Sequence, residues 1–258
     1  MEGLILKDDA RYIHTENFLL ERGHILNKPE ASAENLGFVI FPFAQGIDMA
    51  LYNDSFFSSL GKGTLIFSGI RNPYLSKKCA ENKLEYYVIM EDPGTQIKNA
   101  VPTSEGVIAY LISNRADTIA GSGILIIGYG ICGSDLAARL RCLGACVYAL
   151  VRNREKECAA RSGSITPVYL SELDTLNFDV IINTVPGRVL TDEMLLQTHG
   201  ALLIDIASKP YGFDMELAKK LNEKSALLPG IPGKYAIKTA GEILGEFISA
   251  ILDGRGNK

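Results

Sequence analysis

The residues best suited to chemistry lie in one stretch, ILIIGYGICGSDLAARLRCLGACVYALVRNREK, residues 124–156. Within it, Gly128-Tyr129-Gly130-Ile131-Cys132-Gly133 has the GxGxxG spacing. An apolar run precedes it, a helical pattern follows, and a second apolar run comes about twenty residues on, the context that makes the motif informative. Each glycine then has a physical task. Gly128 permits a tight turn, Gly130 lets backbone approach a pyrophosphate, and Gly133 lets the next helix pack closely on the sheet. The free N–H groups and positive dipole end of a helix over 130–143 face the phosphates. The chemistry indicated is dinucleotide binding.

Which dinucleotide depends on the end of the second strand. A carboxylate there would hydrogen-bond both ribose hydroxyls and repel a 2′-phosphate. This sequence places Val151 at that spot, followed by Arg152, Asn153 and Arg154, with no acid until Glu155. A guanidinium holds a phosphate bidentately and nothing here repels one, so the expected cofactor is NADP rather than NAD. The alternative is that both arginines are solvated surface residues. Two further strand ends carry candidate cofactor contacts: Thr184, Val185 and Pro186 after DVIIN, and Ala207 and Ser208 after LLIDI. Doubly wound sheets bind ligands at such carboxyl ends; ordinary strand-to-loop turns are the alternative.

The elements that must position these residues are legible as alternating patterns. Apolar runs at 3–6, 36–41, 64–67, 86–90, 124–127, 146–151, 179–183, 201–206 and 225–228 are mostly continuous, as strands buried on both faces of a parallel sheet are. Helical patterns lie between them at 10–22, 72–82, 103–114, 130–143, 213–222 and 239–252. Strand–helix alternation predicts an α/β protein with two doubly wound parallel-sheet domains, the C-terminal one a Rossmann dinucleotide-binding fold. The chain divides near residue 103. The last helix, with Ile243, Leu244, Phe247, Ile248 and Ile251 at helical spacing, must bury a face and is expected to return to the N-terminal domain. The expected domains are therefore 1–103 with 236–258 for substrate and catalysis, and 104–235 for NADP.

Composition narrows the classes. A length of 258 residues, 47% hydrophobic and 22% charged, is an ordinary globular mix. A net charge of −4 without basic clusters argues against nucleic acid as a partner. The first residues meet acids by position 8, unlike a signal peptide. No apolar run approaches the roughly 18 residues of a membrane helix. Five cysteines without CxxC spacing suggest reduced thiols in a cytoplasmic protein and no metal site.

Several phrases together resemble one family. FSGI with NPYL (67–75), NAVPTSEGVI (99–108), INTVPG (182–187), IDIASKPYG (204–212) and LLPGIPGKYAIKTAGEIL (227–244) are similar, in order, to the A subunits of dipicolinate synthase from spore-forming bacteria, as is DDAR (8–11). The resemblance runs from about residue 4 to 252. It implies oxidation of a dihydropyridine, or its hydrated tetrahydropyridine precursor, to pyridine-2,6-dicarboxylate, for which the cofactor reading above makes NADP the expected oxidant. It also implies the B subunit of dipicolinate synthase as a partner, a homo-oligomer, and the mother cell of a sporulating bacterium as the compartment. Two departures stand out: Leu6-Lys7-Asp8-Asp9 where the family favours a glycine pair, and Ile237 where a proline is expected.

A dihydropyridine gains aromaticity on losing hydride, so orientation matters more than a general base. That suits a sequence with three histidines, none well placed: His14 and His24 flank a helix expected at the surface, and His199 lies in a loop. The substrate is expected in a cleft between the domains. Thr103 and Ser104 would offer hydroxyls and helix-start N–H groups to a carboxylate, or act as a plain N-cap. Lys234, Lys238 and Thr239, on the turn into the last helix, would meet a dianion, or else form a solvated turn. Arg11, Ser68 and Gly69 are assigned to the same cleft, and Glu105 or Lys238 would move the proton if water must leave. Two rivals remain: a non-catalytic NADP-binding partner protein, and another two-domain enzyme of the methylenetetrahydrofolate dehydrogenase type, whose catalytic lysine motif is missing here.

Overall fold

The strand β3 (Phe38–Ile40) shows why this sequence builds layered sheets. Phe38 and Ile40 point into one apolar cluster, and Val39 and Phe41 into another on the opposite face. A strand wetted on neither side must be covered by helices on both. The computed structural model describes residues 1–27, 33–43, 46–175, 177–198 and 200–256. It divides them between two compact units, 1–99 with 236–258, and 100–235.

The first unit contains β1 (Glu2–Ile5), α1 (Arg11–Glu21), β2 (Ile25–Asn27), β3, α2 (Asp54–Ser59), β4 (Leu65–Ser68), α3 (Pro73–Asn82) and β5 (Glu85–Val88). Its strands lie in the order β2-β1-β3-β4-β5, every pair parallel. The helix α4 (Pro93–Asn114) carries the chain across the unit boundary. The second unit contains β6 (Gly123–Ile127), α5 (Ile131–Cys142), β7 (Cys146–Leu150), α6 (Arg154–Ser162), β8 (Thr166–Val168), β9 (Val180–Asn183), α7 (Asp192–Leu196), β10 (Leu202–Asp205), α8 (Met215–Leu221), β11 (Ala226–Leu227) and α9 (Pro232–Tyr235). Its order is β11-β10-β9-β6-β7-β8, again all parallel. The reversal between β6 and β9 is the switch point of a Rossmann sheet. Both doubly wound domains expected from the sequence are thus present. Among the described residues no helix is long and apolar enough to cross a membrane.

The last helix, α10 (Ile237–Gly256), packs against α1 in the first unit, as its apolar stripe requires. Leu244, Ile248 and Leu252 join the core there, each contributing about 2 kcal/mol of apolar burial. The backbones approach closely because Gly241 and Gly245 present no side chain; a methyl on Gly241 would strike the Arg11 carbonyl, and one on Gly245 the Phe18 ring. Thr15 donates across the contact to the Gly241 carbonyl at 2.9 Å. The helix α1 is therefore covered, not a surface helix: Tyr12, Thr15 and Leu19 have no exposure at all.

Two differences from the sequence reading bear on function. The helix expected at 103–114 begins ten residues earlier, at Pro93. Asp92 explains the start, accepting the Thr95 amide at 2.6 Å, and Pro93 comes next with φ already suited to a helix. Pro102 inside α4 disguised this continuity. Short elements were also missed, among them β2, β8, α2, α6 and α7, because three to nine residues carry little periodic signal.

Candidate dinucleotide-binding site

The site is built on a turn between a buried strand and a helix. β6 is apolar throughout and ends at Ile127, where Gly128 takes φ +93°, a left-handed conformation open to glycine at little cost. The turn is pinned on both sides: Gly128 donates to the Leu150 carbonyl at 3.2 Å, and the Thr184 amide and hydroxyl both donate to the Ile127 carbonyl, at 3.0 and 2.9 Å. A methyl on Gly133 would collide with the Gly128 carbonyl oxygen, so this glycine sets how tightly α5 approaches the turn. The N-cap of α5 is Gly130, which offers no side-chain acceptor, and no acid occupies the first turn. The N–H groups of Ile131, Cys132 and Gly133 therefore keep their capacity for an external anion. Burial, with Asp135 adding to it, pushes the Cys132 thiol up.

A cavity of about 1040 Å³ opens over this turn. Of the residues expected to bind cofactor, Gly128, Tyr129, Gly130, Val151, Arg152, Thr184, Val185 and Pro186 line it. Lys156 on α6 and Tyr169, Leu170 and Ser171 after β8 line it as well, and the sequence reading did not select them. The edge strand β8 was not recognised, so the wall that follows it was invisible; Lys156 followed only from seeing that α6 begins at Arg154. Asn153 is the N-cap of α6, its side-chain oxygen accepting the Lys156 amide at 3.0 Å, and Arg154 is the first helical residue. Neither is on the cavity wall. Among the described residues, no Asp or Glu lines the cavity.

The loops after β9 and β10 are shaped by a buried polar pair that the sequence reading passed over. Asp205 and Asn183 are fully buried at the ends of their strands. The Asp205 carboxylate accepts the Asn183 side-chain amide at 3.0 Å and the amides of Ala207 at 2.9 Å and Gly212 at 2.7 Å. Asn183 in turn donates to the Val185 carbonyl at 2.9 Å and accepts its amide at 3.1 Å. Ala207 and Ser208 do not line the cavity; Ala207 belongs to this scaffold. A carboxylate within the run LLIDIA was the signal, because a buried acid must have partners.

No protein-family model matches the chain. It is 35% identical over 191 residues to the A subunit of dipicolinate synthase from Bacillus subtilis (strain 168), a match spanning 73% of this chain and 64% of the relative's length. Its fold superposes on the crystal structure of the dipicolinate synthase A chain from Bacillus subtilis with a TM-score of 0.89, at 26% identity, covering 100% of this chain and 98% of that one. The corresponding protein from Bacillus halodurans gives 0.88 at 25% identity, covering 97% of both. The chain belongs to the family of dipicolinate synthase A subunits. D-lactate dehydrogenase from Escherichia coli, 14% identical with a TM-score of 0.65 over 98% of both chains, shares the fold.

The remaining candidates fall into separate groups. In the first unit, Arg11, Ser68 and Gly69 gather at the carboxyl edge of the sheet. Arg11 is buried, donates to Asp9 through Nε at 2.8 Å and Nη2 at 2.6 Å, and lies 3.8 Å over the Phe43 ring. A methyl on Gly69 would strike that ring, and Phe43 donates its amide to Asp8 at 2.9 Å. Here the acids Asp8 and Asp9 hold the turn after β1. Ser68 is buried, donating to the Ile70 carbonyl at 2.7 Å, with the Tyr86 hydroxyl 2.6 Å away. Lys238 and Thr239 are exposed on the first turn of α10, Lys238 lying 3.8 Å from Glu242.

In the second unit, Thr103 and Ser104 occupy the interior of α4, not its start. They are buried and are no N-cap, and they offer no helix-start N–H groups. The Ser104 hydroxyl has no hydrogen-bond partner among the described residues. Glu105 is exposed, 3.7 Å from Arg139, and Lys234 is exposed on α9. Of the histidines, His24 is buried edge-on to Phe38, with desolvation lowering its pKa, and His14 packs at Gly241. His199 lies outside the described residues.

Proposed function

We propose that this chain is an NADP-dependent oxidoreductase, the A subunit of a dipicolinate synthase. It oxidises dihydrodipicolinate, or the hydrated tetrahydrodipicolinate that precedes it, to pyridine-2,6-dicarboxylate, working beside a B subunit in the sporulating mother cell. The observation that carries the cofactor half is the cavity wall: Arg152 and Lys156 line it and, among the described residues, no carboxylate does. An acid at that place would repel a 2′-phosphate, whereas two cations attract one. The substrate half rests on membership of the family, whose Bacillus relatives are dipicolinate synthase A subunits.

In this reading the second unit holds NADP, with its pyrophosphate on the first turn of α5, and the first unit with α10 serves the substrate. NADP+ held in the second unit would supply the hydride acceptor: loss of a hydride and a proton would leave the ring aromatic and the cofactor as NADPH. Lys234, Lys238 and Thr239 would meet the carboxylates, Arg11, Ser68 and Gly69 would shape the substrate side, and Glu105 or Lys238 would carry the proton when water must leave.

The test follows absorbance of reduced nicotinamide and of pyridine dicarboxylate when purified chain meets the enzymatically generated precursor. Product with NADP alone supports a self-sufficient dehydrogenase. Silence with both cofactors that the B subunit relieves would make the chain a cofactor-binding half of a larger enzyme. Titration calorimetry with Arg152→Glu should show NADP affinity falling about 30-fold with NAD affinity little changed; equal loss for both removes Arg152 from the phosphate site.

A further inference from the structure

The acids around the cavity mouth each have a partner. Glu157, on the first turns of α6, accepts from the Tyr169 hydroxyl at 2.8 Å through one oxygen and from Arg161 at 3.1 Å through the other. Glu172 accepts the Tyr169 amide at 2.7 Å. Glu155 is largely exposed, 3.3 Å from the Lys156 ammonium. Tyr169 and Lys156 both line the cavity, and Arg152 lies four residues before Lys156. Of the two carboxylates one residue from Lys156, Glu155 pairs with its ammonium, while Glu157 is tied down by Tyr169, another wall residue.

We propose that cofactor preference is set by Lys156 and Tyr169 as well as by Arg152: Lys156 is a second cation on the adenosine 2′-phosphate, and Tyr169 holds Glu157 away from it. This rests on the NADP reading above and names the groups that would enforce it. The physical argument is one of charge. A phosphate monoester near pH 7 carries between one and two negative charges, and two cations with several donors match it better than one guanidinium. A glutamate with free rotation next to Lys156 would compete for that ammonium and repel the phosphate at close range. Clamped by a hydroxyl and a guanidinium, it does neither. Tyr169 is accordingly a positioning residue, acting through Glu157.

The experiment uses the full chain and two probes that differ in the 2′-phosphate, adenosine 2′,5′-bisphosphate and 5′-AMP, each titrated calorimetrically. Lys156→Ala should weaken the bisphosphate about ten-fold and change 5′-AMP by less than two-fold. Tyr169→Phe keeps the ring and removes the hydroxyl, and should weaken only the bisphosphate, by about five-fold. Adding Glu157→Gln to Tyr169→Phe should restore it, which a wall residue with a merely structural role would not allow. Thermal unfolding of each variant confirms that the unit is intact. If wild type binds both probes equally, the NADP reading itself fails. If wild type prefers the bisphosphate, yet Lys156→Ala leaves that preference unchanged, Arg152 stands alone; if Tyr169→Phe leaves it unchanged, or Glu157→Gln restores nothing, Tyr169 is no positioning residue, and either result overturns this proposal.

Discussion

Each unit has a parallel sheet with a reversal of strand order, yet the first β–α turn is closed in one and open in the other. In the second unit Gly128 and Gly130 line a cavity of about 1040 Å³ that opens over the turn. In the first unit the turn after β1 reads Leu6-Lys7-Asp8-Asp9, and its carboxylates fill the same place from within. Asp8 takes the Phe43 amide, and Asp9 takes both the amide and the guanidinium of Arg11 at the start of α1. An acid at a helix N-terminus answers the dipole that a phosphate would otherwise answer. The same fold position is therefore an open cavity floor or a structural clasp according to whether its residues are glycines or acids.

That contrast can be broken at its narrowest point. Gly133→Val should remove NADP binding, by more than about 100-fold, and destabilise the protein by about 3 kcal/mol, because the new side chain meets the Gly128 carbonyl. Titration beside thermal unfolding reads both; binding within a few-fold of wild type would show that the turn yields. Next in size, Asp205→Ala should cost about 3 kcal/mol, since the Asn183 side-chain amide and two backbone amides lose their acceptor. Denaturant unfolding measures it, and a change under about 1 kcal/mol would mean that the strand-end scaffold holds without the acid.

In the first unit, Asp9→Ala should cost about 2 kcal/mol by leaving the Arg11 guanidinium buried without its partner. Burial by itself would raise the Asp9 carboxyl, but its bonds to the Arg11 side chain and amide, and the Arg11 charge, outweigh this and hold it below its ordinary value. A depressed carboxyl contributes stability above its unfolded value and loses it as pH falls through the folded one. Acidification below about pH 4 should therefore erase the difference between Asp9→Ala and wild type; a constant difference down to about pH 2 would refute the ion pair's part in it. The smallest effect is expected of Lys238→Ala, with its side chain 74% exposed: a KM raised about three-fold with unfolding unchanged, read by steady-state kinetics. An unchanged KM removes Lys238 from the carboxylate clamp.

Much of this was legible beforehand because long apolar runs and glycine spacing are local. The GxGxxG turn, the cation-rich end of β7 and the returning last helix each declared themselves within about twenty residues. What escaped was short or non-local. The strand β8 is three residues long, and with it went Tyr169, Leu170 and Ser171 on the cavity wall. Asp205 and Asn183 sit 22 residues apart, and only the pairing of β9 with β10 brings them together. Thr103 and Ser104 looked like a helix start because Pro102 precedes them, while the capping signal at Asp92-Pro93 stood ten residues upstream.

By itself the sequence determined two parallel-sheet domains and a glycine turn between strand and helix, since periodic burial and glycine's backbone freedom depend on residue type alone. Only the tertiary structure decided which charged groups face the cavity and which are answered by neighbours. Arg11 and Arg152 are identical side chains, and position in space, not the residue's own chemistry, leaves one clasped by Asp9 and the other on the cavity wall.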